Sequence, residues 1–185
     1  MFGLILPNTY EVYWDITAEE FFARMRREYD KFWSPGRIAQ AEKLHMTRGQ
    51  GTTLASIIYE ETAKVEEMPI IAGVYINRLR IGMPLQADPT VKYAMGDYKI
   101  RRITHKMLKV DSPYNTYKHA GLPPTPICMP SIAAIDAVLN YRKSDYLYFC
   151  AKEDFSGYHN FAATYKEHRA NAKRYAAALD QRGIK

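Results

Sequence analysis

The stretch Thr53-Leu-Ala-Ser-Ile-Ile-Tyr-Glu-Glu-Thr-Ala-Lys64 decides how the rest of this chain is read. Leu54, Ile57, Ile58 and Glu61 fall at i, i+3, i+4 and i+7, the spacing of one face of an α-helix. The first three are strongly apolar and the fourth is a carboxylic acid. Glu60 lies about 100° further round the helix and is free to face water. A carboxyl on a buried stripe is costly to ionise, so burial raises its pKa toward the range a general acid needs near neutral pH. The competing reading is structural: an acid at the margin of the stripe, paired with Arg78 or Arg80 on the next helix.

Upstream of this helix, Met46 to Gly51 reads as a glycine-containing connector. Ser34-Pro35 supplies an N-cap and a first-turn proline for a helix ending near His45. Thr17-Ala-Glu-Glu20 fits a capping box that opens a helix through about Tyr29 to Trp33. Residues 1–14 read as extended, with Tyr10, Val12 and Trp14 in partial alternation. Downstream, a fourth helix runs from about Glu66 to Arg80 and is stopped by Gly82.

From Met83 to Pro130 the pattern changes. Seven of the chain's ten prolines lie between Pro84 and Pro130, and long irregular segments of this kind are often functional. A short helix opens at Asp88-Pro89, with Asp88 as its N-cap, and another at Ser131. Residues 145–151 read as a strand with a partner at Tyr158 to Phe161. Thr164-Tyr-Lys-Glu167 is a second capping box, opening a final helix to about Gln181. The fold class is α+β: helix-rich, with a small sheet or hairpin and long proline-rich loops at the active site.

The formal charge is +6 in 185 residues, with a sequence pI near 9.2. A basic balance suits polyanionic partners, including peptidoglycan with its peptide carboxylates. Lysine and arginine are scattered, however, except in the segment from His168 to Lys185, and no zinc-finger or RNA-recognition signature is present, so nucleic acid is not expected as a partner. No window approaches the ~20 apolar residues of a transmembrane helix. The start has a short apolar run without a basic n-region or a small-residue cleavage site, and reads as structure. Cys128 and Cys150 have neither zinc-ribbon nor C-x-x-C spacing, and two unpaired, buried thiols are expected. None of the five histidines forms H-x-x-x-H spacing, so no metal is expected.

With the helices placed, ordered motifs become recognisable. Leu54-Ala-Ser-Ile-Ile-Tyr-Glu-Glu-Thr62 resembles the L-A-S-I-[IV]-x-x-E-T signature of the YceG-like endolytic murein transglycosylases. The resemblance continues through Pro7 to Tyr10, Ala72 to Leu79, Gly82-Met-Pro-Leu-Gln-Ala-Asp-Pro-Thr90, Tyr114-Asn-Thr-Tyr117, Gly121 to Ile127, Tyr146 to Phe149 and His159-Asn-Phe161. It covers nearly the whole chain in order. Two departures stand out: Tyr59 and Glu60 occupy positions where many members carry Glu and Lys, and Ala87 replaces the usual Thr.

The resemblance implies that Glu61 is the catalytic acid/base. It also implies a lyase that cleaves the β-1,4 bond between N-acetylmuramic acid and N-acetylglucosamine in peptidoglycan strands, leaving 1,6-anhydro-muramyl ends and needing no cofactor. Gln86, Asp88, Thr90, Tyr114, Asn115, Thr116, Tyr117 and His159 are the expected substrate contacts. Each also has an ordinary role to play: Asp88 as a helix cap, Tyr114 to Tyr117 in turn chemistry, His159 as a structural histidine. Residues 1–33 are expected to be the end of a preceding subdomain with its connecting helix, and 34–185 the catalytic domain. The family also implies a membrane anchor outside this chain, work on the outer face of the cytoplasmic membrane, and peptidoglycan synthases as neighbours. Two rival functions remain: a lysozyme-type hydrolase using Glu61 and Asp88, and a glycan-binding module without activity.

Overall fold

In the computed structural model, residues 3–97, 99–100 and 103–183 are described. Seven α-helices and one hairpin follow along them: α1 (Ala18–Phe32), α2 (Pro35–Lys43), α3 (Arg48–Glu61), α4 (Met68–Arg80), α5 (Asp88–Met95), α6 (Ile132–Leu139), β1 (Tyr148–Ala151), β2 (His159–Ala162) and α7 (Tyr165–Gln181). The two strands are antiparallel, with Phe149 opposite Phe161 and Ala151 opposite His159. The fold is therefore α+β and helix-dominated.

The core forms where α3 packs against α4 and α6. Leu54, Ile57 and Ile58 of α3, Ile71 and Ala72 of α4, and Ile135 and Val138 of α6 are all fully buried in one apolar cluster, which Leu6, Tyr29 and Trp33 also join. Each such Leu or Ile is worth about 1.5–3 kcal/mol of transfer free energy. Helix α4 lies so close to the chain leaving α6 that a Cβ on Gly73 would sit 2.4 Å from the Arg142 carbonyl oxygen. In the same place the Arg142 amide donates to the Pro69 carbonyl. Only glycine fits there.

Several expectations are corrected. Helix α3 begins at Arg48, not Thr53, because Thr47 and Gln50 form a reciprocal capping box that the glycines at 49 and 51 disguised. Gly51 is buried beneath the Trp33 ring, where a bare backbone packs well. The helix also ends earlier than Lys64: Thr62 turns extended, leaving Glu61 as the last helical residue. A 3₁₀ turn, Val65–Glu67, then leads into α4.

The described part of the N-terminal segment, from Gly3, forms turns and no strand; Met1 and Phe2, also expected to be extended, lie outside the described residues. Val12, Tyr13 and Trp14 face solvent. Among the described residues, the alternating Tyr10, Val12 and Trp14 have no partner strand to pair with, and an unpaired extended segment has no ladder to hold it. Strand β1 is shorter than expected, since Asp145 to Leu147 precede the ladder. Asp88 is the first residue inside α5 and Ala87 the N-cap, so Asp88 is not the cap expected of it.

Candidate active site

Glu61 sits at the C-terminal end of α3, half-buried, while its neighbour Glu60 faces solvent. The stripe beneath it, Leu54, Ile57 and Ile58, is fully buried. Its carboxyl opens onto a cavity of about 260 Å³. Tyr75 and Arg78 of α4 line that cavity, together with Gln86 and Asp88, Tyr117, Tyr148 and Phe149 of the hairpin, and Tyr165 and His168 of α7. A larger hollow, about 790 Å³, lies at the N-terminal segment around Val12, Ile16 and Arg24. Its Glu20 is committed to the α1 capping box, and the smaller cavity is the one that holds Glu61.

Burial raises the Glu61 pKa to about 7, and the negative charges of Asp88 and Glu60 push the same way. The C-terminal end of a helix also disfavours a carboxylate. Two groups oppose this: a hydrogen bond from Tyr75, and the Arg78 guanidinium. The net result is an acid that carries its proton near neutral pH and can still release it. By contrast, the hydrogen bonds accepted by Glu20, Asp30 and Glu66 pull their carboxyls below the usual range.

Tyr75 donates its phenol proton to Glu61 Oε1 at 2.5 Å. The Tyr75 ring is fully buried and meets Phe149 edge-on. Burial and the adjacent Glu61 push its pKa well above the ordinary value, so the phenol remains a donor throughout. With Oε1 committed as an acceptor, Oε2 is the oxygen left to hold a transferable proton.

Arg78 does not form the ion pair that the structural reading of Glu61 required. Its Nε donates to the Leu147 carbonyl and its Nη1 to those of Leu85 and Pro84. One buried guanidinium thus ties α4 to the start of the hairpin and to the 84–87 loop. Arg80 is spent on the Tyr141 hydroxyl.

That loop explains where Gln86 points. Leu85 and Ala87 are fully buried, and the chain between them passes through a left-handed conformation at Gln86 (φ 51°). The Gln86 amide donates to the Thr116 carbonyl and the Ala87 amide to Thr116 Oγ1. The held turn leaves the Gln86 side chain exposed on the cavity wall, an uncommon backbone state of the kind found at functional sites. Asp88 follows, also exposed, and accepts a 2.6 Å hydrogen bond from the Tyr117 hydroxyl. Burial and this bond push the Tyr117 phenol upward, so it too stays protonated.

Of the expected substrate contacts, Gln86, Asp88 and Tyr117 are therefore brought together with Glu61. The others lie elsewhere. Thr90 is fully buried, bonded to the Ala87 carbonyl and the Thr116 hydroxyl, and Thr116 is buried with it. Asn115 is also fully buried; its amide bonds the carbonyls of Leu108 and Val110, and its Oδ1 accepts from the Tyr117 amide. These three form the scaffold that aims Tyr117. Tyr114 packs on Tyr93 and shares a hydrogen bond with Thr125, away from Glu61. His159 is held by Glu67, which accepts from its backbone amide and contacts Nδ1 at 2.9 Å.

Tyr75, Tyr148, Tyr165 and His168 are not singled out by the sequence, and Arg78 is named there only as an ion-pair partner for Glu61. Tyr75 and Arg78 lie in a matched motif but give no local signal of their own, and α7 reads as an ordinary surface helix. The two cysteines are unpaired but half-buried rather than buried as expected, and the Cys128 thiol donates to the Ser56 carbonyl.

A family model described as YceG-like matches residues 1–174. The chain belongs to the YceG-like family. It is 36% identical over 181 residues to a protein of Bacillus subtilis (strain 168) named endolytic murein transglycosylase, covering 97% of this chain and 49% of that protein. A protein of the same name from Streptococcus pneumoniae serotype 2 (strain D39 / NCTC 7466) is 37% identical over 153 residues, covering 80% of this chain and 28% of its own length. The chain thus spans about half or less of the length of these two relatives. The crystal structure of a YceG-like protein from Listeria monocytogenes superposes with a TM-score of 0.80 at 39% identity, over 91% of this chain and 54% of that one.

Proposed function

We propose that this chain is the catalytic part of an endolytic lytic transglycosylase acting on peptidoglycan. The observation that carries the reading is Glu61: a carboxyl held near pKa 7 at the wall of a cavity, with one oxygen fixed by Tyr75. The relatives' names point to the same chemistry.

In the reaction, Glu61 Oε2 protonates the glycosidic oxygen between N-acetylmuramic acid and N-acetylglucosamine, and the C1–O4 bond breaks. The Glu61 carboxylate, stabilised by Tyr75 and Arg78, then takes the proton from the C6 hydroxyl of the muramyl residue as that oxygen closes on C1. The product is a 1,6-anhydro end, and no water is consumed. One carboxyl serves both steps because the nucleophile belongs to the substrate. A two-carboxylate glycosidase must instead activate an external nucleophile or supply one from a side chain. The intramolecular attack carries little entropic cost. Asp88, hydrogen-bonded to Tyr117, and Gln86 are placed to contact sugar hydroxyls.

Residues 34–185 carry every group in this scheme, and residues 1–33 are the lead-in from a preceding subdomain. In the full-length protein the domain works on the outer face of the cytoplasmic membrane, next to peptidoglycan synthases. No helix among the described residues is long and apolar enough to cross a membrane.

Polymeric murein digested by the wild type and by Glu61→Gln, with products identified by mass spectrometry, tests the reading. Anhydro ends from the wild type and none from the variant are expected. Reducing ends gained with water would instead support a hydrolase using Asp88 as second carboxylate. Equal, near-zero cleavage by both proteins would leave a binding module.

A further inference from the structure

The cavity is lined by two chemically different sets of residues. One is polar and exposed, the Asp88 carboxylate with its Tyr117 partner and the Gln86 amide. The other is a set of rings from α7 and β1. Tyr148 carries the His168 imidazole stacked at 5.3 Å and 20°, and the Arg78 guanidinium lies 5.3 Å from its centroid. The π surface of Tyr148 is thus engaged inside the protein. Desolvation and Arg78 lower the His168 pKa, which keeps that ring uncharged and suited to stacking.

Tyr165 is different. As the first residue of α7 it leans on Tyr148 (5.8 Å, 52°) and His168 (6.2 Å, 37°), yet 60% of it remains exposed. Docking α7 onto the hairpin does not consume this ring. It is a large aromatic face at the rim of the cavity that holds Glu61, fixed from behind by two other rings.

We infer that Tyr165 is the stacking platform of a sugar subsite, on which one pyranose ring of the glycan strand lies with its hydroxyls turned toward Asp88 and Gln86. A pyranose has an apolar face of C–H bonds and a rim of hydroxyls, and the two sets match those two surfaces. Aromatic side chains offer such a face at low entropic cost, and pockets fix orientation with a few polar groups opposite an apolar wall. The cavity volume, about 260 Å³, suits a single ring, with the rest of the strand running outside. The inference rests on the glycan-cleaving reading for its ligand, but not on Glu61 for its energy.

The test measures binding and cleavage separately. In a Glu61→Gln background, a peptide-free tetrasaccharide of alternating N-acetylglucosamine and N-acetylmuramic acid is titrated by calorimetry. Tyr165→Ala is expected to weaken binding about 5-fold or more, with Tyr165→Phe and Tyr165→Trp within about twofold of the parent. Thermal unfolding should be nearly unchanged, because the ring is mostly exposed. If the alanine variant folds poorly, Tyr165→Leu keeps the packing against Tyr148 and removes the flat face, and the same loss is expected. Equal affinities across the series, or no binding at all, overturn the inference. If Glu61-dependent cleavage occurs but Tyr165→Ala leaves KM unchanged, the subsite fails and the reaction stands. If the wild type does not cleave yet binding depends on Tyr165, the reaction fails and the subsite stands.

Discussion

At the scale of single residues, the proposed chemistry comes down to how two neighbours set the proton affinity of Glu61. Burial raises it, and Tyr75 and Arg78 restrain the rise. Replacing Tyr75 by phenylalanine removes a donor that favours the carboxylate. The Glu61 pKa should therefore climb above about 7, and the alkaline limb of the kcat/KM profile should move to higher pH while kcat falls; a pH–rate series on both proteins checks this. Stability carries the same sign. A folded-state pKa raised from 4.5 to about 7 means that the native state binds more protons than the unfolded chain in that window. Stability contributed by the neutral acid is whole below pH 4.5 and lost as pH rises to 7, roughly 1–3 kcal/mol. Glu61→Gln should then raise the unfolding temperature at pH 8 and leave it nearly unchanged at pH 4. Glu61 was legible in the sequence because its oddity is local, an acid in register with Leu54, Ile57 and Ile58. Its contact with Tyr75 was not, because it joins two helices across a turn and has no periodicity to betray it.

At the scale of elements, the sequence located the helices better than their ends, and Glu61 lies at one of those ends. Thr62 stops α3 one residue after Glu61, so the acid meets the cavity at the unsatisfied end of a helix. The missed first turn shows the opposite error, with two glycines outweighing the Thr47–Gln50 box in a purely local reading. Gly73 is a third case. Within α4 it reads as a weak helix former, but tertiary packing explains it, since a methyl group there would collide with the Arg142 carbonyl. Gly73→Ala should gain helix propensity and still destabilise the protein by at least about 1–3 kcal/mol, measured by urea unfolding. A stabilised variant would mean that the chain after α6 moves away from α4 at no cost.

At the scale of the whole molecule, the cavity depends on the hairpin and α7 being held against the α3–α4 pair, and Glu67 makes one of those attachments, beside the Arg78 bond to the Leu147 carbonyl. Its carboxyl is buried, accepts the His159 amide at 3.0 Å and contacts His159 Nδ1 at 2.9 Å, while Glu66 beside it accepts from the Tyr158 hydroxyl. Both acids lie in the 3₁₀ turn that follows α3, so the turn a few residues after Glu61 grips the start of β2. No spacing in the sequence could reveal this, because Glu67 and His159 are 92 residues apart. The arrangement gives His159 a tethering role and makes a distinct prediction. Glu67→Ala leaves the His159 amide and ring without their buried partner, which should cost about 2–4 kcal/mol. The cost should concentrate in the hairpin, as faster amide hydrogen exchange across Tyr148–Ala151 and His159–Ala162 with α3 still protected. Cleavage should fall with it, since Tyr148 and Phe149 line the cavity from β1. If His159→Ala instead abolished cleavage while hairpin exchange and unfolding temperature stayed at wild-type values, His159 would be a contact to substrate and the tether would lie elsewhere.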